Sequence, residues 1–250
     1  STTTSTTTSS TTSTTTTSST TSTTTTTVPP APSWLGATET VRVSVASDGT
    51  QGAANSTNPA VSADGRYVAF SSDATNLVAG DTNGKSDIFV RDIETGTVTR
   101  VSVAGDGTQG NDYSYSPDIS ADGRYVAFRS AATELVAGDT NNAPDIFVRD
   151  IEAGTTTRVS VTDDGTQSND YSYGLAISAD GRYVAFNSDA TNLTAGDSNS
   201  RRDVFVRDLV AGTTTLVSVA TDGTQGNAIP ANADPAISAD GRYVTFNSAA

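Results

Sequence analysis

Short apolar runs separated by polar turns recur along this chain. In the first clear unit, Tyr67-Val68-Ala69-Phe70 and Asp87-Ile88-Phe89-Val90 carry apolar side chains at consecutive positions. In an extended segment that places them on both faces. A sheet with one solvated face would alternate more cleanly, so this pattern predicts sheets covered on both sides. One unit reads as four strands: a over 59–62, b over 67–71, c over 87–93 and d over 98–104. Ala63-Asp64-Gly65-Arg66 predicts a tight a–b turn, with Asp bonding the backbone and Gly supplying positive φ. Glu94-Thr95-Gly96-Thr97 predicts a second short turn, and 72–86 a long b–c segment. No segment sustains a helical period.

The unit repeats. Ser-Ala-Asp-Gly-Arg-Tyr-Val-Ala-Phe starts at 62, 120 and 178 and returns, with Thr for the last Ala, at 238. Asp-Gly-Thr-Gln starts at 48, 106, 164 and 222. The spacing is 58 residues, except that the last step of the longer motif is 60. The two extra residues fall between Gly226 and Asp234, which predicts a loop there. Whole units span about 59–104, 117–162 and 175–220, with partial ones at 41–46 and 235–250. Four strands per unit favour a β-propeller over a parallel β-helix, whose coils are shorter. The expected fold is all-β: about three whole four-stranded blades plus parts of a fourth, in a truncated ring. Segment 41–46 reads as a d strand able to complete the last blade, and rings of up to ~8 blades fit a longer parent. Cut short, the chain is expected to expose unpaired edges and to be less stable than that parent.

The units resemble the TolB-like, WD40-like (PD40-type) propeller repeats of bacterial envelope proteins and of some serine peptidases. The resemblance rests on the motif starting at Ser62, on Asp87-Ile88-Phe89-Val90-Arg91-Asp92 with Thr95-Gly96, and on the copies at 120–128, 145–150, 178–186 and 203–208. It covers roughly 41–250 and implies a propeller, without fixing a role. The b–c segment here is longer than the family's compact repeat.

Composition adds a second region. Residues 1–27 are only Ser and Thr, followed by Val28-Pro29-Pro30-Ala31-Pro32. Such a run cannot bury apolar area to offset chain entropy, so 1–33 is expected to be a disordered stalk or linker, O-glycosylated or a plain spacer. Residues 34–250 are the repeats, with Trp34 and Leu35 the first able to dock on a core. The 250-residue chain has 28 acidic and 14 basic residues, net −14. That charge disfavours nucleic acid and anionic lipid as partners and leaves cations, proteins and neutral glycans. There is no Cys, His or Met. The first two absences remove thiol chemistry, Cys-type zinc sites and the commonest general base; the third points to a processed chain or a fragment. No apolar run approaches a membrane span.

Long b–c and d–a loops on one face, including 72–86 and 105–116, make that the expected working face. Two features stand out there. Asp81, Asn83 and Asp87, with Asp139, Asn141, Asp145 and Asp197, Asn199, Asp203, have spacing that could wrap oxygen ligands around calcium. Turn-stabilising side-chain bonds are the alternative, and Arg201 and Arg202 oppose a cation in the third copy. Asn111, Tyr113 and Tyr115, with Asn169, Tyr171 and Tyr173, precede strand a and are expected near the channel mouth. They are ligand-binding candidates, or inter-blade packing. The equivalents 54–57 and 229–232 lack Tyr. Arg91-Asp92, Arg149-Asp150 and Arg207-Asp208 recur in every whole unit, which points to a scaffold role. No nucleophile–base pair is visible, and the only Lys is Lys85. The leading expectation is a non-catalytic, extracytoplasmic binding or scaffold module for protein or polysaccharide. The alternatives are the propeller part of a larger prolyl-oligopeptidase-like hydrolase and a calcium-stabilised adhesion module.

Overall fold

The computed structural model describes residues 40–226 and 234–248. The Ser/Thr-rich region, Trp34, Leu35 and most of the loop that takes the two-residue insertion, with 229–232, lie outside the described residues.

Every element among the described residues is a strand. Blade 1 is β1 (Ser56–Val61), β2 (Tyr67–Ser72), β3 (Asp87–Asp92) and β4 (Val98–Arg100). Blade 2 is β5 (Ser114–Ile119), β6 (Tyr125–Ser130), β7 (Asp145–Asp150) and β8 (Thr155–Arg158). Blade 3 is β9 (Ser172–Ile177), β10 (Tyr183–Ser188), β11 (Asp203–Asp208) and β12 (Thr213–Leu216). Each is an antiparallel meander with strands in sequence order. A fourth sheet holds only β13 (Ala236–Ile237) and β14 (Val244–Thr245). The chain is a β-propeller of three whole blades and part of a fourth.

Three boundaries differ from the sequence expectation. The a strands begin earlier, at Ser56 and Ser114, because a bulge carries the chain on past the prolines. Asn58 and Ser116 take φ near +50° at those bulges, where an extra residue bends the strand. The d strands end earlier. The Ile88 amide donates to the Ser102 hydroxyl at 3.0 Å, so a side chain interrupts the ladder and the chain turns into a bridge between Val103 and Gln109. Finally, 41–46 forms no strand and does not join the last sheet. Val43 instead packs on the Phe70, Phe89 and Leu77 cluster of blade 1.

The two-sided apolar pattern is used as such. Ile88, Val90 and Val101 of blade 1 pack against Ile119, Val126 and Phe128 of blade 2. Ile146, Val148 and Val159 of blade 2 pack against Leu175, Ile177 and Val184 of blade 3. Each sheet therefore serves as both floor and roof of a core. Within each blade two buried phenylalanines stack with centroids 5.8–5.9 Å apart.

Polar locks join the blades at their turns. Ala63 donates to Ala121, Ala121 to Ala179 and Ala179 to Ala239, at 2.9–3.0 Å. The Tyr67 ring lies on Gly123, Tyr125 on Gly181 and Tyr183 on Gly241. Arg91, Arg149 and Arg207 reach back to carbonyls of the preceding loop, at Val45, Ala104 and Thr162. The neighbouring Asp residues work within the blade: Arg66, Arg124 and Arg182 grip Asp92, Asp150 and Asp208 through two hydrogen bonds each. The recurrent Arg-Asp pairs are thus scaffold, but Arg and Asp point to different partners. At the ends of the stack this cover is missing. Val61 is 60% exposed where Ile119 and Ile177 are 7%, and Tyr243 is 65% exposed.

Gly123 has φ +76°, and a Cβ there would lie 2.1 Å from Cδ2 of the Tyr67 ring. Gly123→Ala should cost roughly 2–4 kcal/mol in a denaturant melt, and clearly less in a Tyr67→Ala background. The Arg124 grip holds Asp150 below the usual carboxylate range. Its stabilising effect is therefore complete above the unfolded value near ~3.9 and fades as pH falls through the folded value. Asp150→Asn should be less stable than the parent at pH 7, and that gap should close in urea melts taken below about pH 4.

Candidate functional site

The b–c and d–a loops meet on one face, as their lengths predict. The Asn76 side chain donates to the Gln51 carbonyl at 2.9 Å and accepts from the Ala53 amide. Asn111 and Asn169 occupy the same seam. The Asn111 amide group donates to the Thr133 hydroxyl and its oxygen accepts from the Thr133 amide; Asn169 does the same with Thr191. Both asparagines tie loop to loop.

The four tyrosines divide into two pairs. Tyr115 and Tyr173 lie in β5 and β9, half-buried, and Arg129 of β6 stands between them. Its guanidinium sits 5.2 Å from the Tyr115 ring centre and 4.8 Å from that of Tyr173. Arg202 covers Tyr173 at 3.7 Å and makes a salt bridge to Asp189 at 2.9 Å. The Tyr173 hydroxyl donates to Asp189 at 2.9 Å. Burial and that carboxylate raise the Tyr173 pKa. Burial also works against ionised Asp189, but the Arg202 and Tyr173 hydrogen bonds outweigh it and hold Asp189 low. This inner pair is a cation–π ladder joining blades 2 and 3. The outer pair, Tyr113 and Tyr171, precedes the same strands and stays 46% and 44% exposed. Tyr171 stacks on Tyr173 with centroids 6.3 Å apart. Lys85 sits 4.4 Å over Tyr113 and 3.1 Å from Asp112. Two phenol rings are thus presented at matching points of adjacent blades, each held from behind by a cation or another ring.

Sequence reasoning missed Arg129 and Asp189, and named Arg202 only as a charge opposing a cation in the third copy. A signal was there for the two arginines: Arg129 stands where the other copies have Ser71 and Asn187, and Arg202 where they have Ser86 and Pro144.

The calcium candidates do come together, around a cation of the chain's own. In blade 1 Asp87 is fully buried and accepts from the Ser102 hydroxyl at 2.6 Å and from Gln109 and Asn83 at 2.9 and 3.1 Å. Gln109 also donates to Asp81 at 2.9 Å. Arg100 approaches Asp81 and Asp87 at 3.6 and 3.9 Å. Blade 2 repeats the cluster: Asn141 and Gln167 donate to Asp145, Gln167 to Asp139, and Arg158 lies 3.4 Å from both carboxylates. A guanidinium thus lies beside the carboxylates of Asp81 and Asp87 and of Asp139 and Asp145, positions that the calcium expectation names together with Asn83 and Asn141. Among the described residues no three His, Cys, Asp or Glu side chains form a metal-binding group.

Pockets of about 300 and 260 Å³ lie on the opposite, short-turn face, lined by Tyr67, Asp92 and Arg124 and by Tyr125, Asp150 and Arg182. Their recurrence at both blade junctions marks them as seams of the architecture. Among the described residues no helix is long and apolar enough to cross a membrane.

No protein-family model matches the chain, and no curated protein matches it. Among solved structures it is similar to TolB from Acinetobacter baumannii, 18% identical with a TM-score of 0.45, over 77% of this chain and 37% of that one. It is similar to putative TolB from Agrobacterium tumefaciens, 21% identical with a TM-score of 0.46, over 77% of this chain and 59% of that one. The β-propeller domain of the Trilobed protease from Pyrococcus furiosus is 13% identical with a TM-score of 0.40, over 65% of this chain and 41% of that one. The chain thus spans 37% and 59% of the two TolB structures. At these identities the likeness concerns the fold alone, and the blades described above rest on the chain's own sheets.

Arg129→Ala removes the cation shared by Tyr115 and Tyr173. It should lower stability by about 1–2 kcal/mol in urea, and most of that cost should vanish when Tyr115 and Tyr173 are both Leu.

Proposed function

We propose that this chain is a non-catalytic binding module acting outside the cytoplasm, and that it holds an extended, uncharged polymer against its long-loop face. The observation that carries the reading is the exposed pair Tyr113 and Tyr171, set at equivalent points of adjacent blades on a rigid scaffold. A flat phenol face with a polar tip suits the C–H face of a sugar ring as well as a peptide group. Because the rings are braced from behind, little side-chain freedom is lost on binding, which favours affinity from a small area. The net charge of −14 disfavours anionic polymers. A neutral polysaccharide is the favoured ligand, and a protein segment the other outcome of the test.

Affinity electrophoresis through gels containing starch, xylan or β-glucan tests the reading. At least one polysaccharide should retard the full chain. Tyr113→Ala with Tyr171→Ala should weaken that retardation at least about tenfold, the loss of roughly 1.4 kcal/mol, with an unchanged melting midpoint. Equal retardation of the double variant would remove the tyrosines from the account. Binding confined to peptides in a parallel pull-down would turn the reading toward a protein partner.

A further inference from the structure

The three blades differ where their buried carboxylates meet. In blades 1 and 2 the pair is neutralised by Arg100 or Arg158, both near the end of strand d. In blade 3 that position is Leu216, and the carboxylates remain as Asp197 and Asp203. Other donors withdraw with the arginine. Gln225, the counterpart of Gln109 and Gln167, donates to the Gly196 carbonyl at 2.6 Å. The Asn199 amide group donates to the Gly226 carbonyl at 3.1 Å. Arg202, adjacent in sequence to Asp203, is committed to Asp189 and the Tyr173 ring.

What is left is unusual for a protein interior. Asp203 is 1% exposed; its Oδ1 accepts from the Ser218 hydroxyl and its Oδ2 has no hydrogen-bond partner. Neither buried carboxylate oxygen of Asp197 has a hydrogen-bond partner of ordinary geometry. Uncompensated buried carboxylates are strongly destabilising, so such a pair calls for a cation.

We propose that Asp197 and Asp203 bind a calcium ion, which replaces in blade 3 the guanidinium that closes the same cluster in blades 1 and 2. The donors are all oxygen, which selects a hard cation, and a site built partly from loop residues suits the pliable coordination of calcium better than the strict octahedron of magnesium. The two intact blades serve as an internal control, since they show a positive charge seated at the equivalent position. The inference stands apart from the tyrosine surface and does not depend on it.

Thermal melts and calorimetric titration of the full chain, after dialysis against chelator at pH 7, test this. Calcium should bind at one site per chain and raise the melting midpoint by at least about 3 °C. Leu216→Arg should melt higher than the parent in chelator and lose the calcium response. Arg100→Leu, which gives blade 1 the composition of blade 3, should acquire a second calcium site. Should Leu216→Arg fail to fold, Asp203→Asn provides the loss-of-site variant, and it too should lose the response. A parent that ignores calcium, one that responds only to magnesium, or a folded Leu216→Arg that keeps the full calcium response would overturn the proposal. So would a pair neutralised by a proton, seen as a midpoint that rises on acidification and is the same with calcium or chelator.

Discussion

No sheet in this chain can bury its apolar surface alone. Each carries hydrophobic side chains on both faces, so each needs a neighbour on either side. Ile88 and Val90 are at once the outer face of blade 1 and the inner wall of the core that holds Phe128. Stability is therefore passed from blade to blade as in other repeat arrays, with nearest-neighbour interfaces contributing much of it. The exposed Val61 and Tyr243 show the same constraint where a neighbouring blade is lacking.

Hydrophobic contact is non-directional and would tolerate sliding of one sheet on another. Registration comes from short polar devices repeated at each junction. The alanine amide-to-carbonyl chain, the Tyr-on-Gly contact and the arginine reaching to the preceding loop each fix one end of the interface. Each hydrogen bond contributes only about 0.5–1.5 kcal/mol, but together they define one geometry. The glycine of the turn serves two needs at once. Its positive φ closes the a–b hairpin, and its missing side chain admits the tyrosine of the blade before.

Function on such a scaffold is expected where the copies stop being alike. The repeated residues are occupied with holding the fold: Asn111 and Asn169 tie loops, and Arg91, Arg149 and Arg207 tie blades. Arg129, Arg202 and Leu216 each break the pattern in one copy. The first two organise the tyrosine ladder, while the third leaves a buried acidic pair without its guanidinium. A rigid, nearly symmetric frame can accept such single departures because its stability is spread over many equivalent contacts.

The sequence by itself determined the unit, its four strands, the two tight turns and the two-sided burial of each sheet. Those follow from local rules: apolar runs of strand length, Asp-Gly turns, and a period that recurs. It also placed the long loops on one face and the tyrosines beside strand a. Only the tertiary structure decided which charge meets which. Asp81 and Asp87 read as cation ligands because spacing along the chain cannot show that Arg100, on another strand, folds into the same space. The division of the tyrosines into a buried ladder and an exposed pair was equally out of reach, since Arg129 and Tyr173 belong to different blades. The end of strand d at Arg100 was hidden for a related reason, because a Ser102 side chain competes there for the bond the backbone would make. Contacts set by short-range sterics are written in neighbouring residues; contacts between charges distant along the chain exist only once packing has brought them together.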